Sequence, residues 1–274
     1  PFGGRTQGSE TQVSVQKLPV EGYTETASIM AYGYNPFLTS WSPYHGAAYA
    51  VVEACAKVVA AGAEFGGMRF SYQEYFERMH TARSWGKPLA ALLGALRMQV
   101  ELGLPSIGGK DSMSGTFQHI NVPPMLMAFG ITTVDARRVI STDLKEAGHT
   151  LYLLKHTPKA NRMPDTAALR TLWNYASERI AAGRIVAGYA VGFGGVAEAL
   201  AKMAFGNGIG AEVELPEEAL FAYDYGSIVV ESTVELDAPF AVRLGRTTAD
   251  EALTVNGERM PLDTLRRANS ERFA

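Results

Sequence analysis

The stretch PSIGGKDSMSGTF, Pro105 to Phe117, concentrates more specific chemistry than any other part of the chain. Before it, Leu102-Gly103-Leu104-Pro105-Ser106-Ile107 reads as a helix end, a turn and a short buried strand. Gly108 and Gly109 carry no Cβ, so backbone there can approach a ligand closely. Lys110, Asp111 and Ser112 then offer a cation, a carboxylate and a hydroxyl in succession, a set suited to a phosphorylated ligand. The stretch is not a P-loop. That motif needs glycine at position 104 and Ser or Thr at 111, where this chain has Leu104 and Asp111. On spacing alone, a strand ending in a glycine turn with a surface Lys-Asp pair explains the residues equally well.

Working outward, Val13, Val15 and Leu18 alternate as a strand does, and Ala27 to Tyr32 reads as a second one before an Asn35-Pro36 turn. Residues 46–61 read as a helix with the stripe Val51, Val52, Cys55, Val58, Val59, closed by Gly62. A strand over Glu64 to Ser71 precedes a helix over Pro88 to Leu102, whose stripe is Leu89, Leu92, Leu93, Leu96 and Val100. Pro124 to Val134 reads as a continuous buried strand. This order, β-β-α-β-α-β-β, predicts an α+β domain over residues 1–143 with helices on one sheet face. Residues 144–274 predict a second, mixed α/β domain, with strands at 150–154, 184–191 and 210–215, helices at 165–182 and 196–205, and short strands near 226–232, 239–244 and 252–256.

Composition narrows the function classes. The chain has 274 residues, 47% hydrophobic and 19% charged, with net charge −3. That is ordinary for a soluble globular protein and gives no support for a nucleic-acid or anionic-membrane partner. No apolar run reaches the roughly 18–20 residues of a membrane span, and the first residues lack the pattern of a signal peptide. Cys55 is the sole cysteine and sits among Ala and Val, as a buried inert thiol would. The five histidines form no metal-ligand spacing. A cytoplasmic setting fits these features.

A second glycine turn, Gly192-Phe193-Gly194-Gly195-Val196-Ala197, matches G-x-G-x-x-A between a predicted strand and helix. Glu214 ends the next strand, where a dinucleotide fold places its ribose-binding acid. A nicotinamide-dependent oxidoreductase is therefore one alternative. A tight turn packing helix on strand is the other reading of these glycines.

Three segments carry a family resemblance: the 105–117 stretch, STDLKEAGHTLYLL (Ser141 to Leu154) and GRIVAGYAVGFGGVAEALAKMAFGNGIGAEVEL (Gly183 to Leu215). They resemble the second synthetase half of phosphoribosylformylglycinamidine synthase, within the aminoimidazole ribonucleotide synthetase-like superfamily. Residues 68–87 and 216–274 match that family only loosely. The resemblance implies a two-domain half and places Pro1 inside a longer polypeptide, so the chain reads as a fragment.

It also implies an ATP-dependent amidoligase of purine biosynthesis. ATP and Mg2+ activate the amide oxygen of formylglycinamide ribonucleotide, and ammonia from a glutaminase domain displaces the phosphate. The partners implied are that glutaminase domain and the first synthetase half. Gly108, Gly109, Lys110, Asp111 and Ser112 would form the ATP- or substrate-binding loop, with Lys110 and Ser112 the best catalytic candidates. Related synthases place a magnesium-binding asparagine where this chain has Lys110, which suits phosphate instead. Asp111 would orient Lys110 or share a magnesium ion.

Where the family holds a second nucleotide, this chain departs from the pattern. An acidic residue and a serine are replaced by Ala190 and Gly192, an aspartate by Gly4, and a glutamate–asparagine pair by Glu53 and Lys57. The resemblance thus implies a degenerate pocket of Gly4, Glu53, Lys57, Ala190, Gly192, Gly194 and Gly195. Its Glu53–Lys57 contact would be direct or bridged by one water, with no magnesium nucleotide bound and no cofactor on the isolated chain. A non-catalytic structural half and a homodimer through the strands at 12–18 and 26–32 are further expectations.

Overall fold

Alternating small or apolar and polar residues build the first sheet. The computed structural model, which describes residues 2–271, pairs Ser14–Lys17 (β1) with Thr26–Gly33 (β2) in antiparallel register. Asn35-Pro36 is not a turn. The Asn35 side chain accepts hydrogen bonds from the Phe37 and Leu38 amides and caps a short helix, Pro36–Trp41 (α1). Ser42 then caps Pro43–Ala60 (α2), so this helix starts earlier than its apolar stripe indicated. The expected strand from Glu64 begins with a 3₁₀ turn, Phe65–Gly67, and the strand itself is Arg69–Tyr75 (β3). After Ala82–Leu102 (α3) come Ser106–Lys110 (β4), the two-residue strands Thr116–Phe117 (β5) and Ile120–Asn121 (β6), and Met125–Asp135 (β7). The order is β1-β2-β7-β3-β4, and β3–β4 is the one parallel pair in this sheet.

α2 is buried almost throughout, from Gly46 to Ala60, against β2 and β7 on one side and the second sheet on the other. The α3 stripe read from sequence lies on the wrong side. Leu89, Leu92, Leu93, Leu96 and Val100 are all exposed, whereas Pro88, Ala91, Gly94, Ala95, Met98 and Leu102 are buried. The facing surface of α2 is rich in alanine, and small residues on α3 let the two axes approach closely. Helix period alone cannot tell a core face from an apolar face left outside.

The second half contains Thr150–Leu154 (β8), Thr166–Ala181 (α4), Ile185–Ala190 (β9), Gly195–Phe205 (α5) and Gly210–Val213 (β10). Glu217–Leu220 (α6), Ile228–Ser232 (β11), Ala241–Thr248 (β12), Ala252–Val255 (β13), Glu258–Pro261 (β14) and Leu262–Glu271 (α7) follow. Its seven strands run in the order β14-β13-β10-β12-β8-β11-β9. The architecture is mixed α/β, as expected. One apolar core joins β2 and α2 to Trp173, Ile185 and Ile228, so the halves share buried surface. Residues 3–9 also reach across the molecule: Ser9 Oγ donates to the Lys202 carbonyl and accepts from the Gly206 amide. Among the described residues no helix is long and apolar enough to cross a membrane.

The burial pattern of α3 predicts opposite outcomes on its two faces. Met98→Ala should lower the unfolding free energy by about 2–5 kcal/mol, measured by urea denaturation. Leu96→Lys, on the exposed face, should leave it within about 0.5 kcal/mol.

Candidate functional site

The 108–112 segment is a strand edge and not the close-approach loop its glycines indicated. β4 runs through Gly108, Gly109 and Lys110, with Gly109 opposite Tyr72 and Lys110 opposite Gln73. Gly108 adopts φ 139°, which side-chain-bearing residues rarely take. A Cβ on Gly109 would collide with the Tyr72 carbonyl oxygen. Both glycines are thus accounted for by the backbone. Ile107, expected to be buried, is 78% exposed. Beyond β4 the chain stays zipped to β3: the Ser112 amide donates to the Glu74 carbonyl at 3.1 Å, and the Phe76 amide donates to the Ser112 carbonyl at 2.9 Å.

Parallel pairing puts directly opposed residues on the same sheet face. Lys110 accordingly shares the outer face with Gln73, while Asp111 follows on the helix side beside Glu74. The carboxylate of Asp111 therefore does not orient Lys110. The Lys110 ammonium donates to the Asp111 backbone carbonyl at 2.6 Å and makes no ion pair among the described residues. Ser112 Oγ lies 2.9 Å from Ser114 Oγ.

The strand expected over Glu64 to Ser71 stops short of Glu74, which lies within β3. Extending the alternation Phe70, Tyr72, Glu74 would have placed this carboxylate on the buried face. It is 5% exposed, and its Oε1 finds no hydrogen-bond donor among the described residues; neither does the hydroxyl of Tyr72 find a partner. Burial, and then the charge of Asp111, push the Glu74 carboxyl up to about 7. Other atoms of both residues line a cavity of about 430 Å³ between α3 and β4.

The residues expected at the degenerate pocket are only partly brought together. The Glu53 and Lys57 side chains meet directly at 2.8 Å. Glu53 also accepts from the Tyr34 amide at 3.0 Å, and Lys57 donates to the Tyr32 carbonyl. Burial raises the Glu53 pKa, against the pull of Lys57. Gly192 adjoins Glu53, and Gln12 takes both the amide and the carbonyl of Ala190. The Gly194 amide, at the start of α5, is taken by Glu198, while Gly195 turns into the helix against the Leu220 carbonyl. Gly4 is elsewhere: it packs on Gly206, past the other end of α5, which at about 1.5 Å per residue spans roughly 16 Å. With its one carboxylate engaged by Lys57 and the Tyr34 amide, this pocket offers magnesium no free carboxylate and does not fit a magnesium nucleotide. No group of three or more metal-binding side chains exists among the described residues.

The dinucleotide geometry also fails. β9, before the second glycine turn, and β10, before Glu214, are separated in the sheet by β11, β8 and β12. At roughly 4.8 Å per strand, Glu214 stands nearly 20 Å from where a ribose on that turn would lie. The glycines serve the packing of helix on strand.

Residues 141–260 match the family described as AIR synthase related protein, C-terminal domain. A Picrophilus torridus phosphoribosylformylglycinamidine synthase subunit PurL is 26% identical over 257 residues, 83% of this chain and 34% of the relative. Thermotoga maritima PurL complexed with ATP superposes with a TM-score of 0.72 at 15% identity, over 97% of this chain and 47% of that one. The chain is PurL-like: residues 141–260 match the AIR synthase related C-terminal domain, and most of its length aligns with PurL. Aquifex aeolicus thiamine monophosphate kinase shares the fold, with a TM-score of 0.62 at 15% identity over 87% of this chain and 91% of its own. At such identities the structural likenesses speak for the fold alone. The chain spans about a third of the length of the curated PurL relatives it matches.

The Glu74 environment predicts a pH-dependent stability. Below its ordinary value of 4.5 the group is protonated both folded and unfolded. As pH rises toward about 7, the folded state keeps a proton that the unfolded chain releases, so stability is lost. Relative to Glu74→Gln, the wild type should lose on the order of 2–3 kcal/mol between about pH 4.5 and 8, measured by urea titrations across pH.

Proposed function

We propose that this chain is one synthetase half of an ATP-dependent amidoligase that makes formylglycinamidine ribonucleotide. In this reading it lends the 108–112 segment to an active site shared with a first synthetase half. The observation that carries the proposal is the placement of Lys110: an unpaired ammonium on the open outer face of an edge strand, available to a phosphate arriving from a partner. Similarity to PurL supports the reaction class.

The chemistry needs a charge stabiliser on the transferring phosphoryl group. The γ-phosphoryl of ATP passes to the substrate amide oxygen, leaving ADP and an iminophosphate. Ammonia then attacks the imine carbon and phosphate departs, giving the amidine. Lys110 would meet phosphate oxygens, and Ser112 would donate to substrate phosphate or amide. Magnesium, which accompanies ATP in this reading, would be held by groups of the partner half, since Lys110 stands where an asparagine ligand occurs in related synthases. Cys55 is buried in α2 with its pKa raised by burial and is no glutaminase nucleophile; in this reading ammonia comes from a separate glutaminase domain. We place the assembly in the cytoplasm.

A purely structural half is the second reading, favoured by the closed Glu53–Lys57 pocket. In the full-length protein, Lys110→Ala should cost at least about 100-fold in kcat with an unchanged melting temperature, and the isolated chain should show no turnover. Retained activity in Lys110→Ala would select the structural reading.

The outer face of the first sheet exposes Met30 and Ile131 directly opposite one another, and β1 and β4 leave both edges open. Apolar faces and open edges of this kind favour association. Light scattering of the chain should report a homodimer through this face, and Met30→Glu should convert it to a monomer.

A further inference from the structure

The outward face of α3 is apolar over about four turns. Trp85, Leu89, Leu92, Leu93, Leu96 and Val100 are each about half exposed or more, and Val100 is 73% exposed. The opposite side of the helix, with Pro88, Ala91, Gly94, Ala95 and Met98, is the one that packs against α2. Lys87 and Arg97 are the charged residues within this span, and both turn aside to carboxylates, Glu77 and Glu101. Single exposed leucines are ordinary, but an unbroken row is not. Six such side chains approach the roughly 300–600 Å² of the largest apolar patch on a typical monomer, a size that marks contact sites.

The spacing of the row selects its occupant. From Trp85 the steps along the chain are four, three, one, three and four residues, the same from either end. The midpoint falls between Leu92 and Leu93. A second α3 laid antiparallel across that midpoint therefore meets apolar with apolar along its whole length. Trp85 faces the partner's Val100, Leu89 the partner's Leu96, and Leu92 the partner's Leu93. Each pairing is reciprocal, as a two-fold interface requires. The charges at the ends favour the same direction. Arg83 is exposed and makes no ion pair among the described residues. Antiparallel packing brings it beside the partner's Glu101, whereas parallel packing would set it against the partner's Arg83.

We propose that this face is a self-association surface, occupied by α3 of a second copy of the chain, antiparallel and centred between Leu92 and Leu93. It lies on the side of the first sheet opposite Met30 and Ile131, so a pair closed through the sheet still presents one α3 face on each member. A single α3 contact falls short of the roughly 800 Å² per partner of a standard stable interface. It is therefore weak taken alone: it adds to the sheet dimer at high concentration and leaves Met30→Glu monomeric at light-scattering dilution. Nothing in this contact depends on ligase activity.

Cross-linking of the whole chain with a short bis-maleimide tests the assignment, because Cys55 is wholly buried and an engineered cysteine on α3 is then the accessible thiol. Leu93→Cys, next to the two-fold axis, should give covalent dimer. Its yield should exceed that of Ala82→Cys at least about tenfold, since in this register the two copies of residue 82 stand roughly 30 Å apart along the helix. Adding Leu96→Lys to Leu93→Cys sets a charge against the partner's Leu89 and should cut the yield at least about tenfold at an unchanged melting temperature. Equal yields from Leu93→Cys and Ala82→Cys would overturn the proposal, as would a yield that Leu96→Lys leaves unmoved. Absence of covalent dimer in Leu93→Cys would also overturn it, and would leave the face to a different partner.

Discussion

Everything in this fold is arranged around a helix that is buried on nearly every side. α2 lies between two sheets, so it can carry only small and apolar side chains along most of its length. Its one carboxylate, Glu53, sits in the middle of that buried surface and has to be neutralised there. Lys57 and the Tyr34 amide do so. The same arrangement that lets the helix be buried thus leaves no free oxygen for a cation. In this chain, the burial of the helix and the engagement of its carboxylate are one fact.

How much could be read from the sequence depended on whether local pattern and tertiary packing agreed. They agreed for α2, α4, α5 and most strands, where runs of Val, Ile, Ala and Leu coincide with the core. They disagreed on α3, where a strong leucine stripe faces outward because closeness to alanine-rich α2 selects the small-residue face instead. The 108–112 segment was visible as a special sequence, but its meaning changed with the sheet. The glycines answer to the parallel neighbour β3, which no local motif reveals. Glu74 stayed hidden for a similar reason, since a carboxylate inside a strand reads as its solvent side until the alternation is followed through Phe70 and Tyr72. Gly4 was grouped with Glu53 by resemblance, and only the course of α5 shows that they stand apart.

β4 acts as a partition between two electrostatic environments. On its outer face a lysine ammonium makes no ion pair among the described residues, and on its inner face burial, and then the charge of Asp111, leave Glu74 holding its proton near neutrality. Adjacent residues, Lys110 at the end of β4 and Asp111 just past it, are offered to different surroundings. Their opposite charges cancel in any count over the sequence but not in space.

The crossing of residues 3–9 onto the end of α5 bears on how this chain is made. Ser9 and Lys202 are 193 positions apart, so their contact closes a long loop, with an entropy cost that grows only as the logarithm of its length. The cost is modest, but the timing is not. During synthesis the first strands can pair early, while the clasp must wait until α5 has left the ribosome. At about 5–20 residues per second that is a delay on the order of ten seconds or more. Over that interval residues 3–9 lack their partners on α5, and they are then open to proteases and chaperones.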